Sequence, residues 1–542
     1  MSARGKRGAD GLARTLARCG ARRIFTLSGN HVMPIFDAAI DAGLELMHVR
    51  HEAAAVHMAD AWARVTGEPG IALVTGGPGH ANAVSALYTA AMAESPVVLL
   101  SGHAPNDERG MGSFQEMLQA DVAAPLAKAS WTCANASSLA SDVAHAMRIA
   151  RSGRPGPAHL SLPVDALEAT IEGDEPVADD ARPVSMPLAA GDARAILERL
   201  ARAARPMILC GPALMTRAGR VDCAALEEAT GIPVVGMESP RGIADPSLGA
   251  FAEVLAQADA ILLLGKRLDF TLKFGRAPAL AAGCELLQVD AEEIEFARTR
   301  RAVGARLVAT ASAGAFAASD ALVEASGARA PAGSWRSEVR AAIDYRPAAW
   351  NSARAKEPGH LHPVQACRTL QALLDADPES VLVVDGGEFG QWAQACLTAP
   401  HRVINGSAGA IGAGLPFALG ACTARPRSTV IALMGDGTFG FHPAEIDTAV
   451  RYGLSFLLVV GNDARWNAEY QIQVRTFGAD RALGCELLPA RYDQVCAAFG
   501  GCGELVTDAN EVLPAARRGL AAGRPACLNV MIEGLPAPNV RR

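Results

Sequence analysis

Three doubly wound α/β domains, each built on a parallel sheet, are what this sequence of 542 residues predicts. Short, β-branched apolar runs alternate with helix-length segments, the pattern of strand–helix–strand units. Nearly every predicted strand ends in glycine or polar residues, and open α/β sheets hold ligands at that edge. The length suits about three domains of ordinary size. Two stretches rich in proline and polar or small residues, 168–187 and 325–363, divide the chain into predicted domains 1–170, 188–325 and 360–535.

In the first third the predicted order is helix 11–19, strand 23–27, helix 34–42, strand 44–49, helix 53–66, strand 71–75, helix 81–93 and strand 97–100. The strands run out into Ser28-Gly29-Asn30-His31, Arg50-His51-Glu52, Gly76-Gly77-Pro78-Gly79-His80 and Ser101-Gly102-His103, so one rim of the sheet is polar and flexible. The middle third predicts strands 207–209, 233–235, 260–264 and 286–289. The last third predicts helix 363–375 and strand 381–384, which ends at Asp385-Gly386-Gly387-Glu388-Phe389. A glycine-dense segment, 406–420, follows. Strand 430–434 ends at Gly435-Asp436-Gly437, a helix begins near Pro443, and strand 456–460 ends at Gly461-Asn462-Asp463. Residues 492–531 read as helix, strand, helix, strand, and 535–542 as a short tail.

Charge and composition exclude several classes. A net charge of −7 gives no basic footprint for nucleic acid. There is no apolar run of about 18 residues, so no membrane span is expected. The basic start, Met1 to Arg7, lacks the apolar core of a signal peptide. Twelve cysteines without a Cys-x-x-Cys pair suggest reduced thiols, and the expected location is cytoplasmic. A small-molecule substrate is the expected partner.

The unit from 430 to 463 places an acidic or amide oxygen at the end of each of two strands, beside backbone that glycine leaves approachable. Two such oxygens suit Mg²⁺, which takes its remaining ligands from phosphate and water. Turn residues are the plainer explanation of the same letters. The spacing, Gly-Asp-Gly and then an Asn pair position about 26 residues on, resembles the thiamine diphosphate signature of the superfamily of acetolactate synthase, benzaldehyde lyase and 2-hydroxyacyl-CoA lyase.

That resemblance implies a pyrimidine-binding domain, a central domain and a diphosphate-binding domain. It implies Mg²⁺ on Asp436, Asp463 and the backbone of Arg465, with Asp463 standing where the family carries Asn. The cofactor-binding set it implies is Glu52, Gly387, Glu388, Phe389, Gly409, Ile411, Gly435, Asp436, Gly437, Thr438 and Asp463. Ile411 falls where the family carries a bulky apolar residue that bends the cofactor. Arg50-His51-Glu52-Ala53-Ala54-Ala55 resembles the family's stretch around its cofactor-activating acid, which makes Glu52 catalytic. A carboxylate satisfying a helix N-terminus is the alternative for Glu52. His31, His80 and Gln115 are candidates for proton transfer and substrate orientation. Gln115 lies in Gly112-Ser113-Phe114-Gln115-Glu116, similar to a stretch of 2-hydroxyacyl-CoA lyases; ordinary loop polarity is the alternative for all three. His51 and His103 are weaker candidates. Trp466, Glu469 and Tyr470 follow the metal loop and are candidate substrate contacts.

The segment 265–275 is similar to one in oxalyl-CoA decarboxylase and 2-hydroxyacyl-CoA lyase that lies near a bound ADP group. Lys266, Arg267, Lys273 and Arg276 could therefore meet the phosphates of CoA or FAD, unless they form a solvated basic loop. The activity implied is a carbon–carbon lyase or carboligase acting on 2-hydroxyacyl-CoA, acyloin or 2-keto acid substrates. The alternatives are an acetolactate synthase-type transferase and a non-catalytic cofactor-binding protein. A dinucleotide fingerprint in 406–420 is disfavoured because the required order of strand, Gly-x-Gly-x-x-Gly and helix is absent. The resemblance also implies self-association as a homodimer or homotetramer.

Overall fold

The structure, a computed structural model, describes residues 6–172, 177–178, 180–327 and 333–542. Residues 1–5 of the basic start, and 173–176, 179 and 328–332 of the two expected linkers, lie outside the described residues. The chain divides into two compact units: residues 1–184 with 416–424 and 447–452, and residues 185–415 with 425–446 and 453–542.

The first unit holds a sheet of six parallel strands: β1 (Arg23–Thr26), β2 (Glu45–His48), β3 (Gly70–Val74), β4 (Val97–His103), β5 (Ala129–Thr132) and β6 (Ala158–Pro163), in the order β2-β1-β3-β4-β6-β5. Every residue of β3, β4 and β6 is buried. That is why these strands read as near-continuous apolar runs rather than alternating ones. Strand order reverses between β1 and β3, which opens a crevice at their carboxyl ends.

The second unit holds two parallel sheets. One contains β7 (Pro206–Cys210), β8 (Val234–Gly236), β9 (Ala260–Leu264), β10 (Glu285–Asp290) and β11 (Leu307–Ser312), in the order β11-β10-β9-β7-β8. The other contains β12 (Val381–Val384), β13 (His401–Ile404), β14 (Val430–Gly435), β15 (Leu457–Asn462), β16 (Cys502–Val506) and β17 (Ala526–Met531), in the order β13-β12-β14-β15-β17-β16. Its reversal lies between β12 and β14. The α/β class with three parallel sheets is therefore as the sequence predicts.

Strands β5, β6, β11 and β13 add to the sequence reading, the expected helix 363–375 is split into Pro363–Arg368 and Gln371–Asp375, and two further segments differ from it. The segment 325–363 contains a helix, Trp335–Asp344, whose Trp335, Val339 and Ala342 join the core beneath the five-stranded sheet. Their spacing puts all three on one helix face. After β14 the chain does not wait until Pro443 to turn helical: Asp436–Phe439 forms a short helix at once, and a second helix, Glu445–Arg451, follows.

Candidate active site

β14 and β15 pair in parallel with Gly435 opposite Gly461. Asp436 follows the first glycine directly, and Asp463 stands two residues past the second, so the register brings both acids to one sheet edge. They face a cavity of about 220 Å³ at the β12/β14 reversal. Gly387, Glu388, Phe389, Gly409, Ile411, Gly435, Gly437, Thr438 and Arg465 line it as well. All the expected cofactor residues of the last third thus meet in one place.

Missing side chains let the walls close in. A Cβ on Gly437 would lie 2.7 Å from the Trp466 ring, and one on Gly461 would lie 2.5 Å from Phe389. A Cβ on Gly412 would lie 2.3 Å from Phe441, and Phe441 meets Trp466 edge to face at 6.3 Å. The Thr438 hydroxyl donates to the Gly435 carbonyl at 3.0 Å and pins the turn.

The cavity carries unspent polarity. Asp436 is 2% exposed and its Oδ2 has no hydrogen-bond partner. Asn405 Oδ1 and Gln391 Oε1, both buried and both lining the cavity, are also unpartnered. Burial pushes the carboxyls of Asp436 and Asp463 well above the ordinary range, and the negative charge of Asp436 pushes Asp463 further up. Orphaned buried oxygens and two acids repelling each other are what a cation and a polar ligand would resolve. Among the described residues no cluster of three or more His, Cys, Asp or Glu side chains could hold a metal ion. A cation here would therefore draw ligands from backbone, water and ligand phosphate besides the two carboxylates.

Asp385, at the end of β12, holds the opposite wall. Its carboxylate accepts N–H bonds from Gly386 (2.6 Å), Gly412 (3.0 Å) and Gly414 (2.8 Å), tying the glycine-dense loop to the strand. Complete burial nevertheless raises its pKa to about 6. Glu388 is held by the Arg241 guanidinium at 2.7 Å and by the Ala537 N–H at 3.1 Å. Arg241 lines the cavity too.

In the first unit Glu52 opens the helix Glu52–Thr66 and is 8% exposed. The Asn82 amide donates to Glu52 Oε2 at 3.0 Å, and a Cβ on Gly79 would sit 3.3 Å from Oε1. His51 caps the same helix by accepting the Ala53 N–H. At the β1/β3 crevice, His31 Nδ1 lies 3.1 Å from the Thr75 hydroxyl, and its ring stacks on exposed Phe114. Burial lowers the His31 pKa. Gln115 is half-buried at φ +58°, with its backbone against Gly77. Gln119 locks the crevice: its Oε1 accepts the Gly77 N–H at 3.3 Å, and its Nε2 donates to the Gly102 carbonyl at 2.8 Å. His103 bridges the carbonyls of Ala104 and Met117.

Four of the candidate residues sit differently from expectation. His80 does not line a substrate surface: it is fully buried, 2.9 Å from the Ser101 hydroxyl, which also meets His159 at 3.1 Å. Burial lowers the His80 pKa to about 4, so it serves as a neutral internal group. Lys266 is not a phosphate ligand: it is 3% exposed and donates to the Arg267 carbonyl, Asp269 and Thr271. Arg267 pairs with Glu295 at 3.2 Å. Lys273 and Arg276 do face a cavity, and Trp466 and Glu469 line the Asp436 cavity. Tyr470 instead stacks under the Arg465 guanidinium at 4.6 Å. Sequence reasoning missed Asp385 as a clamp, along with Arg241, Asn405, Gln391, Gln119 and Asn82. Of these only Asp385 carried a signal, since it precedes Gly-Gly at a strand end as Asp436 precedes glycine.

Comparison with known proteins agrees with this geometry. Residues 6–124 match the N-terminal TPP binding domain of thiamine pyrophosphate enzymes, 193–317 their central domain and 385–530 their C-terminal TPP binding domain. A probable acetolactate synthase of Mycobacterium bovis is 34% identical over 536 residues, covering 96% of this chain and 95% of its own. The 2-hydroxyacyl-CoA lyase 2 of Homo sapiens is 30% identical over 586 residues, covering 97% of this chain and 90% of its own. That of Danio rerio is 31% identical over 587 residues, at 97% and 92%. Likeness that runs almost from end to end, over all three sheets, places the chain in the thiamine pyrophosphate enzyme family, as a thiamine diphosphate-dependent enzyme.

Proposed function

We propose that the enzyme is a Mg²⁺-dependent carbon–carbon lyase or carboligase whose substrate carries a CoA thioester, acting on 2-hydroxyacyl-CoA in the manner the relatives' name describes. The observation that carries this reading is a second cavity of about 970 Å³ in the same unit. Arg241, Lys273, Arg276, Arg475 and Arg541 line it, with Phe274 half in solvent. Its cations suit an ADP phosphate group and its aromatic ring suits a base. Arg241 borders this cavity and the Asp436 cavity alike, so a long substrate would reach from one to the other.

Thiamine diphosphate, when bound, supplies a carbon nucleophile and an electron sink for cleaving or forming a carbon–carbon bond beside a carbonyl. The chain's residues do the rest. Asp436, Asp463 and the Arg465 carbonyl would hold the cation, and glycine backbone at 387, 435 and 437 would let the diphosphate approach. Ile411 would supply apolar bulk against the cofactor. Glu52, anchored through Oε2 by Asn82, offers Oε1 for a proton shared with the aminopyrimidine. His31 would exchange the hydroxyl proton and Gln115 would orient the substrate carbonyl by hydrogen bonding. Trp466 and its aromatic neighbours exclude water. The same reading carries self-association as a homodimer or homotetramer, which sedimentation would test.

Incubation with thiamine diphosphate, Mg²⁺ and a 2-hydroxyacyl-CoA should release an aldehyde, identified by mass. Inertness toward the thioester together with benzoin cleavage would replace CoA by an acyloin. The second reading is an acetolactate synthase-type transferase, favoured by the 34% identity to the mycobacterial protein. Acetolactate from pyruvate as the dominant product would establish that reading instead.

A further inference from the structure

The cavity at β14 and β15 carries more negative charge than a diphosphate site needs. Asp436 is buried with Oδ2 unpartnered, and Asp463 faces the same space. Among the described residues no side-chain ion pair to either carboxylate is seen; the Arg465 guanidinium, stacked over Tyr470, attracts Asp463 from nearby without pairing with it. An amide at position 463 would offer a cation one carboxyl group, whereas the aspartate offers two that line the same cavity.

Charge balance then sets an order of events. Bringing an anionic diphosphate against this pair of carboxyls without a cation is unfavourable, and the low-dielectric wall strengthens that effect. A divalent cation entering first cancels the pair's charge outright and turns the site attractive to phosphate. With a neutral amide at 463 the protein alone would neutralise only half of the cation's charge, and phosphate oxygens would have to supply the rest.

We propose that Asp463 makes this a self-sufficient cation site: a hard divalent cation binds the Asp436–Asp463 pair without the diphosphate, and the diphosphate docks onto the loaded site. The proposal rests on the reading that this cavity holds the cofactor's metal. Asp463 thereby decides assembly order, not merely metal retention.

Trp466 offers a direct readout. Its ring packs on Gly437, beside Asp436, so excitation of tryptophan should sensitise emission from a terbium ion bound there. Terbium is the probe, with Mn²⁺ and Mg²⁺ as competitors, on the full chain stripped with a chelator. Emission is expected without thiamine diphosphate and should fall as Mn²⁺ or Mg²⁺ is added. Asp463→Asn should weaken terbium binding about tenfold or more, and added thiamine diphosphate should recover most of that loss. Trp466→Phe should lose emission while electron spin resonance still counts one bound Mn²⁺, which fixes the location and shows that the protein is folded.

Equal terbium affinity in wild type and Asp463→Asn without diphosphate, with both rising when it is added, would overturn the assembly order but keep the metal site. No cation bound by either measurement, with or without diphosphate, would remove the metal site and the proposal with it.

Discussion

The sheet around β3 and the sheet around β14 share one strand order, 2-1-3-4-6-5 when strands are counted within each sheet, yet they handle buried polarity in opposite ways. Around the first crevice the buried titratable groups are largely imidazoles. Burial holds His57 at about 3 and His80 at about 4, and takes His159 well below its ordinary value, so all three are neutral. Around the second reversal they are carboxyls: Asp385 at about 6, and Asp436 and Asp463 pushed upward. The same topology therefore supplies a packed wall rich in buried imidazoles in one unit and a receptacle lined by carboxyls in the other. Topology fixes where a site lies; which groups are left unsatisfied there decides what enters it.

The largest effect expected from breaking this contrast is at Glu52, a carboxylate set among the buried histidines of the first unit. Glu52→Ala should cut turnover by about 10²–10⁴-fold while calorimetric affinity for thiamine diphosphate changes only a few-fold. Normal turnover would remove Glu52 from the chemistry.

Acidification should separate the two units. A histidine with a depressed folded pKa contributes stability above its unfolded value of about 6.5, and loses it as pH falls toward the folded value. His57, His80 and His159 therefore predict a loss of stability in the first unit as pH falls toward about 5.5, larger than the loss from His362 and His401, which act in the same sense in the second unit. Asp385 has the opposite sign: its raised folded pKa gives stability that is present below its unfolded value and lost as pH rises through about 6. Hydrogen exchange should therefore show β3 and β4 opening before β12 and β14 as pH drops. The reverse order would refute the comparison.

Asp385→Ala should destabilise the second unit by about 2–3 kcal/mol, since it strands three N–H groups that Gly386, Gly412 and Gly414 now donate. Chemical denaturation would measure it. The smallest change should come from Ile411→Ala, with turnover about tenfold lower and cofactor affinity nearly kept. Equal loss of both would reduce Ile411 to packing.

Much of this was readable from residue order, because apolar runs bounded by glycine identify buried parallel strands and the Asp436–Asp463 spacing survives in one βαβ unit. The helix Trp335–Asp344 was legible in principle from Trp335, Val339 and Ala342 but was hidden in an Ala- and Arg-rich stretch. His80 was not legible: a histidine on the first helical turn after a glycine loop faces inward or outward according to packing that local sequence does not encode. Nor was the Arg241–Glu388 pair, whose members are 147 residues apart. The unpartnered oxygens of Asn405 and Gln391 are properties of a cavity, and no linear pattern marks them.

The glycine–aromatic pairs around the Asp436 cavity have an evolutionary consequence. Gly412, Gly437 and Gly461 each seat an aromatic ring where their own Cβ would be. Any side chain gained at these glycines displaces a ring, so mutational drift there is closed. Trimming Phe389 or Trp466, which line the cavity, strains no backbone and enlarges the chamber. New substrate scope in descendants of this enzyme, natural or selected in the laboratory, should accumulate at the rings while the glycines stay fixed.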